Sequence, residues 1–104
     1  MGRHWKLRGG VFNRESRTLA LSEIASGLAK AGEPYMHIFE EALKIANDIS
    51  DEGMRSNALN EIAPWLAKAG KFERALEIAR DISYKNNRSL ALSEIASVLA
   101  KKGN

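Results

Sequence analysis

The sequence predicts an all-α fold of about two and a half helical hairpins, five helices in one run. Three observations predict it. One pattern occurs three times, as RTLALSEIASGLAKAG from Arg17, RSNALNEIAPWLAKAG from Arg55 and RSLALSEIASVLAKKG from Arg88. A second alternates with it, as IFEEALKIANDIS from Ile38 and FERALEIARDIS from Phe72. Within both, apolar residues recur at the i, i+3, i+4, i+7 spacing that lines one face of a helix. Arg55 and Arg88 are 33 residues apart, and so are Phe39 and Phe72. Self-similarity at such a period marks a repeat architecture. Arg17 and Arg55 are 38 apart, because residues 33–37 lengthen the first hairpin turn.

The elements follow in order. Residues 1–14 form a basic, partly apolar arm, and residues 15–104 the repeat domain. The first helix is predicted over 15–31, with Leu21, Ile24, Ala25 and Leu28 on its stripe. The second spans 35–50, with Pro34 in its first turn, where a missing N–H costs nothing. The third spans 52–69 around Leu59, Ile62, Ala63 and Leu66. Pro64 lies inside it, in the slot of Ser26 and Ser97, removes the bond to Asn60 and predicts a kink. The fourth spans 72–83, with Phe72, Ala75, Leu76, Ala79 and Ile82 on one side. The minimal gap from Gly70 to Phe72 requires a tight antiparallel hairpin. The fifth spans 86–102 and repeats the stripe as Leu92, Ile95, Ala96 and Leu99. Gly32, Gly70 and Gly103 follow the first, third and fifth stripes, where glycine closes a helix in the left-handed conformation.

Composition narrows the function classes. With 104 residues, 44% hydrophobic and 28% charged, the chain reads as one globular domain. No apolar run has the length of a membrane span or a secretory signal, so a cytoplasmic location is expected. Without cysteine there is no disulfide, no thiol nucleophile and no cysteine metal site. The net charge of +3 is uneven: residues 1–17 hold five basic side chains and one acidic, leaving eleven basic and twelve acidic for the rest. The repeat body is nearly neutral, unlike a uniformly basic nucleic-acid groove.

The spacing resembles that of the tetratricopeptide repeat. Leu59, Ile62-Ala63, Leu66, Gly70, Ala75 and Ala79 occupy that family's places, as do Leu21, Ile24-Ala25, Leu28, Ala42 and Ala46 in the first unit. The resemblance covers roughly residues 17–103 and is one of spacing more than identity: the aromatic slots hold Leu or Ala, and no proline ends the second helix. It implies a right-handed superhelix whose first-type helices line a concave face that holds peptides or protein segments. By position that face would carry Ser22, Ser26 and Lys30, then Asn60, Pro64 and Lys68, then Ser93, Ser97 and Lys101. The recurring lysine would favour an acidic segment. The same lysines also complement the C-terminal ends of their helix dipoles.

Other repeated residues have structural readings. Asp48 and Asp81 each precede an arginine by seven residues, which predicts Asp48–Arg55 and Asp81–Arg88 bridges between units. Glu23, Glu61 and Glu94 lie in successive units, too far apart for paired carboxylate chemistry, and read as packing edges or solvent-facing groups. His4 and His37 lack companion ligands at a regular spacing, no Ser–His–Asp set is readable, and Gly9-Gly10 is no phosphate loop, so neither cofactor nor metal is expected. Trp65 aligns with Gly27 and Val98 and is placed at a surface or unit boundary, as a contact candidate. Tyr35, Met36 and Phe39 form either an apolar lip or packing for the first helix.

The arm interleaves Trp5, Leu7, Val11 and Phe12 with Arg3, His4, Lys6 and Arg8, so it is expected to dock on either the open end of the first helix or a neighbouring chain. Trp5, Lys6 and Arg8 are its contact candidates, and nucleic-acid binding through them is the alternative function. The last helix lacks the polar outer face of a terminal repeat. Leu90, Leu92, Val98 and Leu99 are therefore expected to mediate self-association, most simply as a two-fold dimer, the competing expectation being that the chain is a piece of a longer array. The expectation is a non-enzymatic scaffold for protein–protein interaction, with no membrane partner.

Overall fold

In the computed structural model, residues 14–103 are described. They form five helices: α1 (Arg14–Lys30), α2 (Met36–Asn47), α3 (Glu52–Lys68), α4 (Phe72–Arg80) and α5 (Lys85–Gly103). No strand occurs among the described residues.

The glycine turns follow from backbone chemistry. Gly32 and Gly70 adopt φ of 77° and 90°. The Glu33 N–H donates to the Leu28 carbonyl at 2.9 Å, and the Lys71 N–H to the Leu66 carbonyl at 2.9 Å. Gly32 and Gly70 donate to Ala29 and Ala67 at 3.1 and 2.9 Å. This pair of bonds satisfies carbonyls that a helix end otherwise leaves open. Gly103, in contrast, is the last residue of α5 rather than a residue beyond it. At the start of α3, an Asp51 carboxylate oxygen accepts the Met54 N–H at 2.8 Å, a side-chain cap. The helix then runs unbroken through Pro64.

Pro34 stands ahead of α2 rather than inside it. The first turn is built on Tyr35, whose carbonyl accepts from Ile38 at 3.0 Å and Phe39 at 3.3 Å.

α2 and α4 both stop three residues short of the predicted ends, at Asn47 and Arg80. In both, an isoleucine leaves the helix and turns into the core: Ile49 and Ile82 are buried. Their carbonyls face the arginines expected to bridge to aspartate. Arg55 Nη1 donates to the Ile49 carbonyl at 2.8 Å, and Arg88 Nη1 to the Ile82 carbonyl at 2.8 Å. The repeated arginine thus caps a chain reversal, which corrects the expected Asp48–Arg55 and Asp81–Arg88 bridges. The reason is that a half-buried carbonyl without a helical partner needs a donor, whereas Asp48 and Asp81 are exposed and need no protein partner.

The helices pack on their neighbours one and two places along the chain. α1 meets α2 and α3, α3 also meets α2, α4 and α5, and α4 meets α5. One layer therefore runs α1, α3, α5, with α2 and α4 across its junctions. The smallest extent, 18 Å, fits two helix layers. Phe39, Ile62, Leu66 and Ile95 anchor the core, and the Tyr35 ring meets Phe39 edge-on at 6.0 Å. Tyr35 and Met36 pack against that core, so they floor the first turn more than they form a lip. Arg74 of α4 binds Glu40 of α2 at 3.0 Å and Glu77 at 3.1 Å. The hydrogen bond to Glu77 holds its guanidinium above its ordinary pKa, with Glu40 adding to the effect against desolvation. Partly exposed pairs of this kind contribute at most about 1 kcal/mol.

Position in the layer decides what an identical residue does. Ile24, Ile62 and Ile95 occupy one repeat slot, yet they are 54%, 0% and 1% exposed. Ala20 is exposed while Ala58 and Ala91 are buried. The opposite stripe behaves inversely: Ala25 and Ala63 are buried and Ala96 is exposed, and Thr18 and Ser56 are buried and Ser89 is exposed. At 3.6 residues per turn the two stripes lie on opposite sides of a helix. α3 has neighbours on both sides and buries both, whereas α1 and α5 each bury one.

Candidate functional site

A cleft of about 400 Å³ runs between α3 and α5. Asn60, Glu61, Pro64, Trp65 and Lys68 line it from α3, and Leu90, Glu94, Ser97, Val98 and Lys101 from α5. The three- and four-residue spacing puts each set on one helix face, and the repeat aligns four positions of the two, with Glu61/Glu94 and Lys68/Lys101 identical.

The cleft has an apolar floor and two charged ends. Trp65 packs its body against the core while its ring lines the cleft, with Lys68 Nζ 4.3 Å from the ring centroid. A cation over indole stabilises both partners' placement by about 0.5–1 kcal/mol at an exposed site. Glu61 and Glu94 precede Lys68 and Lys101 by seven residues. Two helical turns, about 10 Å of rise, therefore separate an acidic end from a basic one. On the α3 wall, Asn60 Oδ1 is buried without a hydrogen-bond partner. Pro64, one turn on, supplies no N–H to the Asn60 backbone carbonyl. A buried acceptor left unpaired costs about 1–3 kcal/mol.

The cleft gathers five of the nine groove residues read from sequence: Asn60, Pro64, Lys68, Ser97 and Lys101. Four are elsewhere. Ser22 and Ser26 are buried, not presented, and Ser22 Oγ donates to the Thr18 carbonyl at 2.8 Å. Small side chains at this stripe of α1 are packed over, so unit one contributes no serine to the groove. Lys30 is exposed on α1 outside the cleft, and Ser93 is exposed on the bare side of α5. Of the residues expected to self-associate, Leu90 and Val98 line the cleft, Leu92 is half-buried on the core, and Leu99 is 49% exposed. The arm residues Trp5, Lys6 and Arg8 lie outside the described residues. Sequence reasoning set aside Glu61 and Glu94. Their signal was present all the same, since they precede the chosen lysines at a fixed two-turn interval.

A second depression, of about 280 Å³, lies between α2 and α4 beside Leu59 of α3, and Glu40 and Arg74 on its wall are already paired with each other. Among the described residues, no group of three or more His, Asp or Glu is placed to hold a metal ion, and no helix is long and apolar enough to cross a membrane. Comparison with protein families, curated proteins and solved structures finds no match.

Proposed function

We propose that this chain is a non-enzymatic protein-interaction scaffold. In this reading its helices form a short right-handed superhelix of the tetratricopeptide kind, and the cleft between α3 and α5 holds an extended segment of a partner protein. The observation that carries the reading is the character of the cleft. It is open, lined at four aligned repeat positions of α3 and α5, and carries Trp65 and Val98 between its acidic and basic ends. That mixture suits a peptide, whose side chains fill apolar surfaces and whose charged groups meet charged ends. The charges refine the expected partner. A segment with a carboxylate at the Lys68–Lys101 end and a basic group toward Glu94 fits better than a uniformly acidic one.

Selection of displayed random peptides on the immobilised chain tests the reading. Selected peptides are expected to share that charge order and to lose at least about ten-fold in affinity on Lys68→Glu/Lys101→Glu. Lys30→Glu, on α1 outside the cleft, should leave them bound. Binding indifferent to the double reversal would refute the groove.

A further inference from the structure

We infer that a second copy of this chain docks head to tail, the exposed Ala20–Ile24 stripe of its α1 seated on the exposed Ser93–Ala96 stripe of α5. The inference is independent of the groove, because it uses the sides of the helices rather than the concave face.

The chain contains this joint twice already. α3 sits on α1 by burying Ala58 and Ile62, against a neighbour whose buried stripe is Thr18, Ser22 and Ala25. α5 sits on α3 by burying Ala91 and Ile95 in the same way. Among the described residues, both halves of the joint are then offered again, uncovered. α1 presents Ala20 and Ile24, the same residue types as Ala91 and Ile95. α5 presents Ser89, Ser93 and Ala96, which match Thr18, Ser22 and Ala25 apart from one methyl. Neither stripe carries a charge to desolvate. Ile24 is 54% exposed, whereas Ile62, in the same slot of the α3 that packs on α1, is sealed together with the Thr18, Ser22 and Ala25 stripe of α1. Two α5 stripes facing each other would bring small residues together with no isoleucine to fill the gap, which disfavours the two-fold arrangement through α5. Unlike a two-fold contact, a head-to-tail contact does not close on itself and extends into an open chain of copies.

Sedimentation velocity on the full chain, with two blocked variants, tests this. The wild-type weight-average mass should keep rising past the dimer as concentration increases through the micromolar range. Ile24→Glu and Ala96→Glu alter exposed residues, should retain helicity, and should each be monomeric alone. Mixed, they should form a one-to-one heterodimer through the two intact stripes. A monomeric wild type would overturn the inference, as would a plateau at dimer that survives Ile24→Glu, or a mixture that stays monomeric. If either charge disturbs folding, the cysteine-free chain permits a second measurement. Ala20→Cys and Ala96→Cys, mixed and oxidised, should give mainly the crossed disulfide, whereas an excess of the Ala96→Cys homodimer would indicate the two-fold arrangement instead.

Discussion

α1 and α5 are nearly the same sequence in opposite surroundings. From Arg17 and from Arg88, 13 of 16 residues are identical, the exceptions being Thr18/Ser89, Gly27/Val98 and Ala31/Lys102. Yet α1 buries Thr18, Ser22, Ala25 and Ser26, and α5 buries Ala91 and Ile95, whose counterparts in α1 are exposed. Burial here is a property of neighbours and not of residue type. Both faces of the repeat helix are made to be covered, and only α3 has both covered. The comparison shows why the repeat is self-complementary, and it separates the residues that hold the layer together from those left over for contacts.

The comparison breaks most visibly with one substitution made three times. Ile62→Ala and Ile95→Ala should each cost about 2–5 kcal/mol in urea unfolding, because each opens a cavity in the core. Ile24→Ala, at the same slot, should cost under about 1 kcal/mol. A smaller contrast reverses the direction. Ser22→Leu overpacks the α1 stripe and should destabilise by about 1–3 kcal/mol. Ser93→Leu, on the bare side of α5, should stay within about 0.5 kcal/mol. The smallest contrast concerns backbone alone. Gly27 is a helical residue with nothing within 4 Å of an added Cβ, so Gly27→Ala should raise stability by about 0.5–1 kcal/mol. Gly70, at φ 90°, should lose about 1 kcal/mol or more on the same change.

The helices were legible because the 3.6-residue period and the closing glycines act locally, within one turn of the residues that carry them. Gly32 and Gly70 close their helices with the bonds that glycine permits there. The places where the sequence misled depend on what a residue meets across space. Arg55 and Arg88 repeat with an aspartate seven residues before, and that regularity is real, but the guanidinium serves the isoleucine carbonyl exposed by the chain reversal. Ser22 and Ser93 are the same residue in the same local pattern, so no local signal tells that one is sealed and the other bare. About half of the groove was readable, from the lysine repeat. Glu61 and Glu94 read as packing edges or solvent-facing groups, because their separation rules out paired carboxylate chemistry and nothing local marks the cleft that both line.

The absence of cysteine makes the central claim directly measurable. Single cysteines would replace alanines at two repeat slots, Ala20, Ala58 and Ala91 for one stripe and Ala25, Ala63 and Ala96 for the other. Thiol reaction with a chromogenic disulfide would be timed in dilute solution. The account predicts fast labelling at Ala20→Cys and Ala96→Cys, and labelling slower by at least about a hundred-fold at the four buried sites, in keeping with opening free energies of a few kcal/mol. Equal rates across each slot, or a fast site at Ala58 or Ala63, would contradict it.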